Sequence, residues 1–343
     1  MKRSKVLVVG NRGGTNVGEA FEKAASDLDV DIRLIESRLA MEAPPFIRRA
    51  NWWLRGRRPT RLGRFSQAVA KECHDWRPDY VVATGIAPLS RRALADIGKL
   101  GVRRIDYLTD DPWNPSHRAP WFMDALRQYD WIFSPRTSNL DDLRKHGCPR
   151  VSYLPFAYTP DVHYCDKPET VEEQKRFAAD IVFAGGADPD RVALVGGLVR
   201  SGFQVALYGD YWDRHLETRY CALGQADPKT LRKATTGAKV VLCLVRRANR
   251  DGNTMRTFEA SAMGACMLTE YTEEHRQILG EDGDAVVYFR SHEEMIARLH
   301  WLLAHDEERH RLSAAVRARV TRGRNTYKDR LETMLAVATD SGS

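Results

Sequence analysis

Two carboxylates and an arginine crowd the start of one short helix in NRDGNTMRTFEASAMGACMLTE, residues 249–270. Asp251 lies in the polar loop, Arg256 at the opening turn, and Glu259 beside the apolar Phe258 and Met263. A guanidinium binds phosphate in a bidentate manner. A carboxylate one turn into the helix can accept hydrogen bonds from two vicinal hydroxyls, as a ribose presents. Asn253 or Thr254 is placed to cap the helix, whose exposed N–H groups and positive dipole end favour negative charge. Gly264 is placed to end it. Asp251, in the preceding loop, falls nearer a reacting sugar. The competing reading is a plain surface ion pair between Glu259 and Arg256.

Other groups with chemistry follow apolar runs. Asn11-Arg12-Gly13-Gly14-Thr15 comes after KVLVVG, where glycines let backbone approach a ligand and a helix N-terminus follows. The glycines at 10, 13, 14 and 18 do not give the dinucleotide spacing GxGxxG. TDDPWNP at 109–115 carries Asp110 and Asp111, carboxylates suited to proton transfer or to sugar hydroxyls, with Trp113 as a stacking ring and Asn114 as an amide. Asp111-Pro112 is equally a turn initiator. Further on, FAGGADPDR presents Gly185 and Gly186, YGDYW presents Tyr208, and VRRANRDGN gathers Arg246, Arg247 and Arg250. Glycine and arginine at three successive strand ends suit a diphosphate. Asp188-x-Asp190 reads as a helix N-cap rather than a metal motif, and no other metal-ligand spacing stands out.

These groups need strands to hold them. Runs at 5–10, 30–36, 79–85, 103–110 and 129–135 read as β-strands, separated by helical patterns at about 60–75, 89–99, 118–128 and 138–146. The alternation breaks at VSYLPFAYTPDVHYCDKPETVEEQKRF, a charged, proline-bearing connection, and restarts at 179–186. Later strands are expected at 203–210, 239–245, 265–270 and 285–289, with helices near 189–201, 292–304 and 306–321. Alternation of this kind predicts parallel sheets covered on both faces. The expected fold class is α/β: two Rossmann-like, doubly wound halves facing across a cleft, with ligands outside the carboxyl ends of the strands.

The 343 residues suffice for two domains, and 43% hydrophobic content excludes a disordered chain. No apolar run approaches a membrane span or a signal peptide. Six scattered cysteines without CxxC read as free thiols in a reducing compartment. The reading is a cytoplasmic protein, or one held peripherally at the inner membrane surface. A net charge of +7 points to a polyanionic partner.

The segment from about 250 to 335 resembles the C-terminal domain of CgeB-like glycosyltransferases, a branch of the group 1, GT-B superfamily. The resemblance rests on MRTFEASAMGACMLTE, ILGEDGDAVVYFRSHEEMIARLHWLLAHDEERHRL and NTYKDRLETML, with TDDPWNP and YDWIFSPRTSNLDDLRKHGCPRVSYLPFAY matching the family's first domain. Residues 1–75 match only as generic α/β. The resemblance implies transfer of a sugar from a nucleoside diphosphate donor, a UDP-sugar foremost, to a hydroxyl, with retention and without a metal or other cofactor. Retaining members carry two glutamates with seven residues between them, the first on the donor sugar and the second on the ribose. The second falls on Glu259; the first falls on Asp251, a departure in side-chain length. Arg246 or Arg247 would hold the diphosphate, with Arg256, Thr254, Asn253, Gly185, Gly186, Tyr208, Gly13 and Gly14 also lining the donor. Asp111 falls near a first-domain His-Asp pair whose histidine is here Asp110. The implied layout is an acceptor domain over 1–157, a hinge over 158–178, a nucleotide-sugar domain over 179–325, and a helix and tail over 326–343 crossing back to the first domain.

The acceptor is less sharply marked. FIRRANWWLRGRRPTRLGRF, residues 46–65, interleaves seven arginines with Trp52 and Trp53. Arg12, Trp113, Asn114, Trp52, Trp53 and Arg55 are the acceptor-side residues. Such a segment suits a glycan or lipid-linked acceptor at an anionic membrane. It equally suits nucleic acid, which opens the reading of a DNA glycosyltransferase acting on hydroxylated pyrimidines of viral genomes. A solvated helix with inward-packed tryptophans, and a binding protein without catalysis, are the two further readings.

Overall fold

The computed structural model describes residues 3–14 and 16–340; Thr15 of the first glycine loop and the last three residues of the tail lie outside them. The chain divides into two compact units. The first takes in the chain up to Pro155, the short stretch Ala248–Asp251, and the chain from Tyr327 onward. The second comprises Phe156–Arg247 and Gly252–Thr326.

The first unit is built on β1 (Ser4–Gly10), β2 (Val30–Glu36), β3 (Tyr80–Thr84), β4 (Arg103–Tyr107), β5 (Trp131–Ser134) and β6 (Val151–Tyr153). They form one parallel sheet in the order β2-β1-β3-β4-β5-β6. Val6 to Val9 are fully buried in succession, as a strand covered on both faces requires. Leu7 and Val9 enter a core with Phe65, Val69, Leu94 and Ile97 from the helices Leu62–Trp76 and Arg91–Lys99. Elsewhere Phe21, from the helix Val17–Ala24, packs its ring against Tyr107 and against Tyr327 of the C-terminal helix Tyr327–Asp340.

The second unit holds β7 (Ala179–Ala184), β8 (Val205–Tyr208), β9 (Ala238–Cys243), β10 (Met267–Glu270) and β11 (Val287–Phe289), parallel throughout, in the order β11-β10-β9-β7-β8. Successive residues alternate between two cores: Ile181, Phe183 and Leu242 enter one, Val182, Val241 and Cys243 the other. β7 is flanked by β8 on one side and β9 on the other, so the winding direction reverses there. The loops leaving β7 and β9 therefore border a topological switch point, where ligands of open α/β sheets bind.

Several elements depart from the sequence expectation; β6 lies at the start of the stretch read as a connection, and the helix Glu273–Leu279 adds to the expected ones. The connection 158–178 contains a helix, Val171–Phe177, whose N-cap Thr170 side chain accepts from the Glu173 N–H at 3.1 Å. The helix Pro228–Gly237, capped by Asp227, fills the stretch before β9. Arginine-rich residues 45–54 form the helix Pro45–Leu54, which has no buried residue, so Trp52 and Trp53 are exposed rather than packed inward.

Candidate active site

At the switch point of the second unit, Arg191 ties the two bordering loops together. Asp188 caps the helix Pro189–Arg200, its side chain accepting from the Arg191 N–H at 3.0 Å. The buried Arg191 guanidinium donates to the Gly186 carbonyl at 3.1 Å and to the Leu244 carbonyl at 3.3 Å. Gly185 and Gly186 thus turn away from β7 in a fixed conformation. Gly209 is required beside them: at φ +134° a side chain there would stand 2.4 Å from the Gly185 carbonyl oxygen. Tyr208 is buried, and burial raises its phenol pKa. Arg246 reaches over the loop, its Nη2 4.0 Å from where a Gly186 Cβ would stand and its Nε 3.7 Å from Asp188. Arg247 instead bonds Glu270 at 3.1 Å, and the same carboxylate accepts from the Val245 N–H at 3.2 Å.

The helix Met255–Met263 starts beside these loops. Thr254 is its N-cap, and the Thr254 N–H donates to Thr257 Oγ1 at 3.0 Å. That hydroxyl lies 2.9 Å from His275 Nε2, while His275 Nδ1 lies 2.8 Å from the Glu270 carbonyl. A carbonyl only accepts, so Nδ1 carries the proton and Nε2 accepts from Thr257. Complete burial lowers the His275 pKa to about 4, keeping the ring neutral. Asn253, fully buried, donates to Glu274 at 2.6 Å. Gly264 closes the helix at φ +81°.

Within this frame Glu259 is fully buried. Its Oε2 accepts from Arg256 Nη1, so the two are paired, but inside the unit rather than on its surface. Arg256 Nε donates to the Ala184 carbonyl at the end of β7 at 3.1 Å, and its Nη2 makes no hydrogen bond among the described residues. Glu259 Oε1 has no hydrogen-bond partner among them either; His163 Nε2 lies 3.4 Å from it. His163 Nδ1 accepts from the Thr159 N–H at 3.0 Å, which puts the proton of the neutral ring on Nε2, facing Glu259. Burial is the largest influence on His163 and lowers its pKa. Sequence reasoning missed His163, and its only signal was a histidine in a segment read as linker.

The first unit gathers Asp111, Asn114 and Asp251 in a different way. Asp111 is buried; its carboxylate accepts from Arg250 Nε at 2.7 Å and Nη2 at 3.0 Å, from Asn139 at 2.8 Å, and from the Trp113 N–H at 3.0 Å. Asn114 donates to Asn249 at 2.5 Å, and Arg250 also bonds Asp142 at 2.6 Å. Asp251 pairs with Arg136, and both side chains are nearly sealed from solvent. These contacts anchor the stretch 248–251. Trp113 lies against the first-unit core and edge-on to His146. Asp110 is half-buried against Gly85. Arg12 bonds Glu22 from an exposed loop that includes Gly13 and Gly14. Trp52, Trp53 and Arg55 stand exposed at the helix Pro45–Leu54 and its exit. Among the described residues no group of His, Cys, Asp or Glu is arranged to hold a metal ion.

Residues 191–336 match the model of a family described as glycosyl transferase-like, which is under half of the chain. No curated protein sequence matches. Among solved structures, sucrose-phosphate synthase from Thermosynechococcus elongatus is similar at a TM-score of 0.68 and 12% identity, with 99% of this chain and 100% of that one covered. HepE of Anabaena in complex with UDP and glucose is similar at a TM-score of 0.64 and 11% identity, with 99% and 100% covered. An E. coli trehalose-6-phosphate structure bound with UDP-2-fluoro glucose is similar at 0.64 and 13% identity, with 97% and 98% covered. At such identities the likeness is one of fold. Fold and matched domain together define the class, a glycosyltransferase of the GT-B fold. The matched region contains Arg246, Arg256 and Glu259.

Proposed function

We propose that this protein, a member of the CgeB-like branch, transfers a sugar from a nucleoside diphosphate donor, a UDP-sugar foremost, to a hydroxyl of a glycan or lipid-linked acceptor. The observation that carries the reading is the buried Glu259 carboxylate, with Oε1 unmatched, held at the carboxyl end of the second sheet by Arg256. A ribose diol supplies the missing donors once Arg256 swings its free Nη2 outward to a phosphate. Arg246 and the Thr254-capped helix start take the rest of the diphosphate. Charge that develops on the leaving diphosphate is then met by guanidinium groups and backbone N–H donors rather than by a metal. Solved structures of similar fold in complex with UDP, or with a UDP-sugar analogue, support the choice of base.

Asp251 enters as the partner that fixes Arg136, with Asp110 and Asp111 beside it in the first unit, and the outcome proposed is retention at the anomeric carbon. The test is calorimetric titration with UDP, GDP and dTDP, followed by turnover of the matching labelled donor in EDTA and assignment of the product anomer by NMR. Failure of every nucleoside diphosphate to bind would end the reading. Tight binding without turnover on any acceptor favours the non-catalytic alternative, and turnover on hydroxymethylated DNA favours the genome-modifying one.

A further inference from the structure

We propose that the helix Pro45–Leu54 docks this protein on the surface of an anionic lipid bilayer. The helix is turned inside out. Phe46, Ala50, Trp53, Leu54 and Ile47 recur at helical spacing and share one face, and that face is open: Phe46 and Trp53 are each 72% exposed and Leu54 84%. The polar Asn51 is the half-buried member and donates to Thr60 Oγ1 at 3.3 Å. Helices that pack on their own protein do the reverse. The exit is fixed in place by Arg57, whose N–H donates to the Trp52 carbonyl at 2.9 Å and whose Nη1 donates to the Arg118 carbonyl at 2.7 Å.

Charge selects the occupant. From residue 43 to residue 71 there is no Asp or Glu, and the side chains of Arg48, Arg49, Arg55 and Arg58 make no ion pair or hydrogen bond among the described residues. An apolar face edged by uncommitted arginines and two tryptophans matches the boundary between acyl chains and acidic headgroups. A second copy of the chain fits poorly, since a two-fold contact would bring this arginine cluster against itself. Nucleic acid would engage the arginines but leave Phe46, Ile47 and Leu54 without a role. Ten helical residues span about 15 Å, half the hydrocarbon thickness, so the helix lies along the surface. No helix among the described residues is long and apolar enough to cross a membrane.

The experiment is co-sedimentation of the full-length protein with vesicles of phosphatidylcholine alone and of phosphatidylcholine mixed with phosphatidylglycerol. The protein is expected to pellet with the mixed vesicles and not with the neutral ones, and to be released by salt. The double variant F46S/L54S, changed only at exposed positions, should bind about tenfold less, as should R48E/R49E. Unchanged pelleting of either variant, equal binding to neutral vesicles, or wild-type protein left in the supernatant overturns the proposal. So does a vesicle-free oligomer that F46S/L54S disperses, or a DNA mobility shift lost in R48E/R49E without vesicle binding. Nucleotide affinity is a separate measurement, so this proposal and the donor reading fail independently.

Discussion

His163 Nε2 and Glu259 Oε1 lie 3.4 Å apart, both sealed from solvent and both without a hydrogen-bond partner among the described residues. A neutral imidazole, held by the Thr159 N–H on one side, thus aims its Nε2–H at a carboxylate that Arg256 grips from the other. The carboxylate is oriented before any ligand arrives.

Replacing Glu259 with glutamine keeps the volume and removes the charge. Nucleoside diphosphate affinity should fall by about tenfold or more, equivalent to about 1.4 kcal/mol, as calorimetry would read. Affinity equal to wild type would remove Glu259 from the donor site.

The Asp251→Asn change acts on the first unit. Removing the Asp251 charge breaks a buried ion pair with Arg136 and should cost about 3 kcal/mol of stability, measured by urea unfolding. Turnover should fall while nucleotide affinity, which we propose for the second unit, stays unchanged. An equal loss of both would show that the pair supports the donor site as well.

Acid should loosen the second unit. His275 titrates at about 4 when folded, below the ordinary value of 6.5, and His163 is shifted in the same direction. Each contributes stability that is present above the unfolded pKa and lost as pH falls towards the folded pKa, because the unfolded chain binds the extra protons. Unfolding free energy should therefore decline between about pH 6.5 and about pH 4, with a limiting slope of about 1.4 kcal/mol per pH unit from His275, to which His163 adds in the same direction. His275→Gln should flatten that slope; an unaltered slope would mean that other groups carry it.

Asp106 supplies the opposite sign. It is fully buried in β4, neither carboxylate oxygen has a hydrogen-bond partner among the described residues, and burial, reinforced by Asp110, pushes its pKa well up. A raised carboxyl pKa favours the fold at low pH, and that advantage is lost as pH rises towards the folded value. Asp106→Asn should stabilise the protein at pH 8 by about 1 kcal/mol or more, and by less at pH 4. A destabilised variant at pH 8 would show that the ionised form has a partner.

The frame was legible where local signals agree with tertiary need. The Asp188 and Thr254 caps, the Gly264 terminus and the helix His292–Ala304 each follow from short-range chemistry that the fold preserves. Side chains whose partners lie far along the chain were not legible. Nothing near His163 points to Glu259, and nothing near Asp111 points to Arg250, 139 positions away. Asp111 and Asn114 read as free reactive groups because spacing reveals side-chain type and says nothing about who answers it. Asp106 had a faint signal, an acid in a strand that a parallel sheet buries on both faces. The outward face of Pro45–Leu54 had none, since a helical wheel gives amphipathicity but not direction.

The first unit is assembled from three stretches that are far apart in the chain: the long N-terminal part, four residues around Arg250, and the closing helix that begins at Tyr327. Its inventory is therefore incomplete until the helix that begins at Tyr327 has been made. During synthesis the opening half must wait, with the Phe21 surface uncovered, while the whole second unit emerges behind it. A recombinant fragment cut after Pro155 would inherit the same gap, so dissection of this enzyme into halves should yield a soluble second half far more readily than a soluble first.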